Sequence, residues 1–167
     1  METIRQIALT ENKLKDNSVL SGIRFLPATD VDCLFAFELK KAVDFDLLTL
    51  EHGWDEELQW ALHQHEWNTG LPTLICYQDK PIGTDMLLEK RDQIYFSKSI
   101  IQPNYQNQGI GSKVMEYVIR FSKQTGKPCF LSYLKNNHAG SLYKRMGFEI
   151  YREDSPFVYT RHNPTKC

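Results

Sequence analysis

The chain has 167 residues, enough for one domain with a substantial core and short for two. Twenty Lys and Arg stand against 21 Asp and Glu, so composition offers no basis for binding nucleic acid or another polyanion. The longest apolar runs fall far short of a membrane span and the first residues lack a signal-peptide core, which makes a soluble cytoplasmic protein the expectation.

Residues 1–21 are polar and weakly patterned and are expected to form an N-terminal extension to a single domain over 22–167. Within them Ile4, Ile7 and Leu9 fit either a strand or a short helix, while 10–13 and 15–18 read as loop. A first strand follows at 22–30 and breaks at Pro27, with Thr29 or Asp30 as the cap of a helix. That helix, over about 31–43, carries Val31, Leu34, Phe35 and Glu38 on one stripe. A second helix begins after Gly53-Trp54 with Asp55 as N-cap, and runs through Leu58, Ala61 and Leu62 toward Trp67. Asp44, Asp46, Glu51, Asp55, Glu56 and Glu57 lie in a stretch without Lys or Arg. Acids at a helix start are favoured by the dipole, which alone accounts for the last three. His63 and His65, two apart, cannot share a helix face, so they do not form a metal pair.

From residue 71 the period changes. Segments 71–77, 82–88 and 93–101 read as three strands joined by short polar turns, the connection of an antiparallel meander. Cys76 and Cys129 sit in strand-like apolar runs and read as small core residues. Together with Cys33 and Cys167 they form no C-x-x-C pair, so neither a zinc site nor a disulfide framework follows, and no metal is expected.

The segment 100–121 reads as a strand end, a turn-rich loop holding Gln106-Asn107-Gln108-Gly109-Ile110-Gly111, and a helix with Ile110, Val114, Val118 and Phe121 at helical spacing. Two glycines let an anion approach the backbone, and the helix start supplies unpaired N–H groups and a positive dipole end. Read alone, the loop is either this cradle or only a turn. It lacks the Gly-Lys-Ser/Thr ending of a Walker loop, and Gln106 stands where a dinucleotide fingerprint has its first glycine. Thr125-Gly126-Lys127-Pro128 then stops the helix, 129–134 reads as a buried strand, and the strand–helix–strand order implies a parallel crossover. In 136–148 a short helix places Ala139, Leu142 and Met146 on one face and closes at Gly147. Segments 148–152 and 157–161 make a final hairpin.

With both pieces in view the chain resembles the GNAT superfamily of acyl-CoA-dependent N-acetyltransferases. The phosphate signature Gln/Arg-x-x-Gly-x-Gly/Ala is met by Gln106, Gly109 and Gly111. The later signature Asn-x-x-Ala-x-x-Leu-Tyr-x-x-x-Gly-Phe is met by Asn136, Ala139, Leu142, Tyr143, Gly147 and Phe148. The resemblance implies an α/β (α+β) fold with a mixed central sheet of about six to seven strands. These comprise an antiparallel N-terminal meander and a splayed parallel strand pair, flanked by about four helices.

By the same resemblance, acetyl-CoA is the co-substrate. Backbone groups of Ser99, Ile100 and Ile101 pair with its pantetheine, and the backbone of Gln106, Asn107, Gln108, Gly109, Ile110, Gly111 and Ser112 takes its pyrophosphate. Tyr143 is the acid that protonates the departing thiolate, and Asn136 bonds the cofactor arm or ties the splayed strands, unless it is an ordinary helix cap. Members with a carboxylate base on the strand before the phosphate loop carry it where Tyr95 stands here. The proton is therefore expected to leave through an ordered water, by way of Tyr95, Glu38 or an acid near Asp55. The first two helices flank the acceptor entrance, where Glu38 and Asp55 would favour a cationic amine. The acceptor is a small-molecule or peptide amine, no nucleic acid or membrane is involved, and family analogy suggests a homodimer. The rival readings are a non-catalytic acyl-CoA-binding or regulatory domain on the same fold and an unrelated nucleotide-binding α/β domain.

Overall fold

The structure, a computed structural model, describes residues 4–7 and 22–165. Leu9, the loop segments 10–13 and 15–18, and Cys167 lie outside the described residues, as do the side chains of Leu47, Glu51, His52 and Lys98. The described strands form an eight-stranded mixed sheet: β1 (Arg5–Ile7), β2 (Ile23–Pro27), β3 (Thr73–Tyr77), β4 (Lys80–Glu89), β5 (Ile94–Ile101), β6 (Cys129–Leu134), β7 (Glu149–Asp154) and β8 (Phe157–His162). The helices are α1 (Cys33–His52), α2 (Glu56–Thr69), α3 (Ile110–Thr125) and α4 (Ala139–Arg145). The chain divides into two compact units, one of Met1–Ile7, Leu87–Lys98 and Asn107–Cys167, the other of Ala8–Met86 and Ser99–Gln106. Strands β4 and β5 contribute residues to both.

In the second unit β2, β3 and β4 form the expected antiparallel meander, with Phe25 opposite Ile75 and Thr73 opposite Asp85. The β3–β4 turn places Gln78 and Asp79 at φ 47° and 64°, the left-handed pair that a two-residue hairpin needs to match strand twist. Thr29 caps the one-turn helix Asp30–Asp32 reciprocally: its backbone N–H donates to the Asp32 carboxylate at 2.8 Å. Asp55 caps α2 as expected, accepting from the Leu58 N–H at 3.0 Å.

Helix α1 corrects the sequence reading twice. It runs on to His52, since no Gly or Pro interrupts it before Gly53, and it buries a different face. Val31 and Leu34 are 87% and 60% exposed and Glu38 is exposed, while Ala36, Phe37 and Leu39 are buried. Tertiary partners decide the face. Phe37 packs edge-on against Trp60 at 4.9 Å and contacts His63 at 5.4 Å and Trp54 at 6.4 Å. Burying one such ring contributes about 1.5–3 kcal/mol, more than the helical stripe of Val31 and Leu34 gains by partial cover. On α2 likewise Leu58 and Leu62 are exposed, and His63 and Trp67 face inward. His63 is a core histidine, its Nε2 at 2.9 Å from the Cys33 carbonyl oxygen. Ala28, Ala36, Trp67, Leu74 and Cys76 close this core.

In the first unit β1 pairs antiparallel with the end of β4, which resolves the open reading in favour of a strand that includes Ile7, with Ile4 exposed just before it. Strands β5 and β6 are parallel, as the α3 crossover requires, and β6, β8 and β7 follow antiparallel. The core is Ile94, Phe96, Val114, Met115, Val118, Cys129, Leu131 and Val158. Helix α3 ends in a Schellman turn: Gly126 takes φ 67°, and Lys127 N–H donates to the Ser122 carbonyl at 3.2 Å.

His162 is buried beside Phe148, ring centroids 5.4 Å apart, with no hydrogen-bond partner for Nδ1 among the described residues. Burial first, and Lys123 second, hold its pKa below the ordinary value. An imidazole kept neutral in the fold contributes stability that is complete above about pH 6.5, its unfolded value, and that is lost as pH falls through the folded value. Thermal unfolding between pH 7.5 and 5 should therefore show Tm of the native protein falling more steeply than that of His162→Gln. Parallel slopes would remove His162 as the cause.

Candidate functional site

The loop after β5 is shaped by three residues. The Gln106 side-chain amide donates to the Ile101 carbonyl at 2.9 Å, so the first residue of the Gln-x-x-Gly-x-Gly run fastens the loop to the strand end. Asn107 takes φ 60°, which asparagine tolerates, and Gly109 takes φ 85° as the N-cap of α3. Among the described residues, and apart from its own chain neighbours and helix backbone, no atom lies within 4 Å of where a Gly109 Cβ would sit, so this is open space before a helix start. The first intrahelical bond runs from Lys113 N–H to the Gly109 carbonyl, 3.1 Å, leaving the amides of Ile110, Gly111 and Ser112 without an acceptor in the helix. No acidic residue occupies the first turn. Dipole and amides together make this end of α3 receptive to an anion. The buried Ile110 side chain anchors it.

Helix α4 carries Tyr143. The run Tyr143-x-x-x-Gly147-Phe148 is a Schellman turn: Gly147 takes φ 91°, its N–H donates to Lys144 O at 3.1 Å, and Phe148 N–H donates to Tyr143 O at 3.0 Å. The apolar contact that accompanies such a turn is here the Tyr143–Phe148 ring pair, 6.2 Å apart. The phenol is 9% exposed, and burial, with Tyr133 adding to it, pushes its pKa up to about 12. It stays protonated at any ordinary working pH. Asn136 is exposed just before the helix, where the cap interaction comes from Asn137, whose Oδ1 accepts from Ala139 N–H at 2.9 Å.

Tyr95 is half-buried on β5. The parallel register of β5 with β6 covers Ile94 opposite Cys129 and Tyr95 opposite Phe130, although both strands continue beyond it. At this last pair the Tyr95 hydroxyl lies 3.3 Å from Ser132 Oγ. Ser99, Ile100 and Ile101 are half-buried at the β5 end. Of the acidic candidates, Glu38 is exposed on α1 and Asp55 is already engaged as the α2 cap. Glu56 accepts from the Trp54 indole and from Lys41, bonds that hold its carboxyl below the usual range, so a cation just upstream answers part of the acidic stretch.

The sequence reading passed over Asp85, whose signal was an acid inside the apolar run Ile82–Leu88. The side chain is 1% exposed, and neither oxygen has a hydrogen-bond partner among the described residues. Burial raises its pKa well above the ordinary value. An Asp held neutral in the fold ionises more easily once unfolded, so its contribution falls as pH rises above about 4. Asp85→Asn is expected to raise Tm by roughly 3–8 °C at pH 8, with the gain shrinking toward pH 4. An equal gain at both pH values would mean that the carboxyl does not titrate.

Fold and site together define a mixed α/β protein of the GNAT type, with a glycine loop opening a helix between two parallel strands. The family model described as the Acetyltransferase (GNAT) family matches residues 39–148, about two thirds of the chain, and the chain belongs to that family of acetyltransferases. No curated protein matches the sequence. Solved structures share the fold. The PaiA N-acetyltransferase of Thermoplasma acidophilum, in complex with coenzyme A, is 15% identical with a TM-score of 0.65, covering 84% of this chain and 98% of its own. The ribosomal-protein-S18-alanine N-acetyltransferase of Escherichia coli is 16% identical with a TM-score of 0.62, covering 87% and 96%. YncA of Salmonella typhimurium, with its cofactor acetyl-CoA, is 13% identical with a TM-score of 0.56, covering 88% and 96%. Among the described residues no group of His, Cys, Asp and Glu could hold a metal ion, and no helix is long and apolar enough to cross a membrane.

Proposed function

We propose that the protein moves the acetyl group of acetyl-CoA onto a primary amine, with a preference for cationic acceptors, by direct attack in a ternary complex. The observation that carries this reading is the start of α3: a left-handed, unobstructed Gly109 followed by three amides with no acceptor in the helix. A diphosphate suits it in charge and in hydrogen-bonding capacity. The names of the structural neighbours, two of them N-acetyltransferases and two holding coenzyme A or acetyl-CoA, point the same way.

In this mechanism the amides of 107–112 hold the diphosphate, the Gln106 N–H being already donated to the Pro103 carbonyl at 3.2 Å, and the backbone of Ser99, Ile100 and Ile101 aligns the pantetheine arm. Ile101 offers less than the other two, since its carbonyl already accepts from Gln106. Asn136 bonds the arm from the start of α4. The neutral amine attacks the thioester carbonyl carbon, the tetrahedral intermediate collapses, and the C–S bond breaks as the sulfur takes a proton from the Tyr143 phenol. The proton lost by the amine leaves through water, with the Tyr95–Ser132 hydroxyl pair or Glu38 as relay. A tyrosine phenol, with its ordinary pKa of about 10, is itself a weak base near neutrality. Glu38 and Asp55 lend the acceptor side its negative character.

Incubation with acetyl-CoA and a panel of amines, following free thiol release, tests the proposal. Amine-dependent release with acetylated product is expected, cationic amines ahead of anionic ones. A protein that binds CoA yet releases no thiol with any amine would be an acyl-CoA-binding domain instead.

A further inference from the structure

Helix α4 has seven residues and spends one of them, Gly140 in its first turn, on the residue that costs a helix about 1 kcal/mol relative to alanine. A close approach accounts for it. A Cβ on Gly140 would lie 2.7, 2.9 and 3.0 Å from Cε2, Cζ and the hydroxyl oxygen of Tyr133, so the phenol end of that side chain rests on bare helix backbone. Tyr133 comes from β6 and is half-buried. Gly140 and Tyr143 are three apart and share a helix face. The Tyr133 ring reaches across it to the Tyr143 ring, centroids 5.5 Å apart and planes at 45°. Among the described residues Tyr143 thus has two aromatic neighbours: Phe148, set by the Schellman turn, and Tyr133, set by a strand.

We propose that Tyr133 is the positioning residue of the acid site: seated on the open backbone of Gly140, its ring fixes the rotamer from which Tyr143 donates its proton. The inference rests on Tyr143 being the acid. Neither position belongs to the motif residues that mark the family in this sequence.

A double-mutant cycle in the full chain decides it. Tyr133→Leu removes the ring and Gly140→Ala displaces it, and each should lower kcat about tenfold with KM for acetyl-CoA within about twofold of native. Tyr133→Phe, which keeps the ring, restores turnover to within about threefold of native. In a Tyr143→Phe background Tyr133→Leu should lower kcat no further, because nothing is left to position. The same tenfold loss in both backgrounds would overturn the proposal in favour of general support of α4. So would native kcat in both Tyr133→Leu and Gly140→Ala. Native turnover by Tyr143→Phe alone would instead remove the premise, a result distinguishable from either. Thermal unfolding of each variant confirms that folded protein is being assayed.

Discussion

Tyr143→Phe is expected to lower kcat by about 100-fold or more while leaving CoA affinity within about twofold, because it deletes one hydroxyl and nothing else. The ring that packs against Tyr133 and Phe148 remains, and so does the backbone bond from Phe148 N–H to Tyr143 O that ends α4. Tm should therefore change little. The pH profile adds a second test. Since burial pushes the phenol up to about 12, the wild-type rate should show no alkaline fall from its ionisation below about pH 10. An acid with an ordinary phenol pKa would begin to fail earlier. Steady-state kinetics on both proteins, with CoA binding by calorimetry, separates loss of chemistry from loss of binding. Equal turnover would remove Tyr143 as the acid.

Gly109→Asp should raise the Kd for CoA about 500-fold, and the structure shows how to isolate the cause. Space is not limiting, since among the described residues nothing beyond its own chain neighbours and helix backbone lies within 4 Å of the added Cβ. What remains is the strain of a side chain at φ 85° and the charge it brings. Asparagine has nearly the same shape and tolerates the left-handed region, so Gly109→Asn carries the strain without the charge and should cost only a few-fold. A carboxylate about 5 Å from a phosphate repels it by roughly 3 kcal/mol at an effective dielectric near 20, which is the expected gap between the two variants. Added salt should narrow that gap. Equal Kd values for Asp and Asn would mean that the loop does not face the diphosphate.

Local patterns were legible in the sequence wherever a few neighbouring residues settle the energetics. The Asp55 cap, the stops at Gly126 and Gly147, the β3–β4 turn and the strand–loop–helix order from β5 to α3 all belong to this kind. Each is fixed by hydrogen bonds spanning six residues or fewer, or by a φ value that glycine or a turn residue supplies. The resemblance to GNAT acetyltransferases rests on the same short runs. The family match then spans residues 39–148.

Three features were not legible there, for one reason. The buried face of α1 was misread at Val31 and Leu34, though not at Phe35, which packs half-buried against the core, because these three make as good an apolar stripe as Ala36, Phe37 and Leu39. Trp54, Trp60 and His63, 17 to 26 residues further on, choose the second. Asp85 gave no pattern to read, because its significance is an environment from which partners are missing. Tyr133 and Gly140 look unrelated until β6 and α4 are packed together. The amino-acid order by itself determined the caps, the turns and the phosphate-type loop, since backbone hydrogen bonds and dihedral preferences are local. Only the tertiary structure decided which side chains are buried, which carboxyl is left alone and what holds the Tyr143 phenol, because burial and contact are set by residues that the chain brings together from a distance.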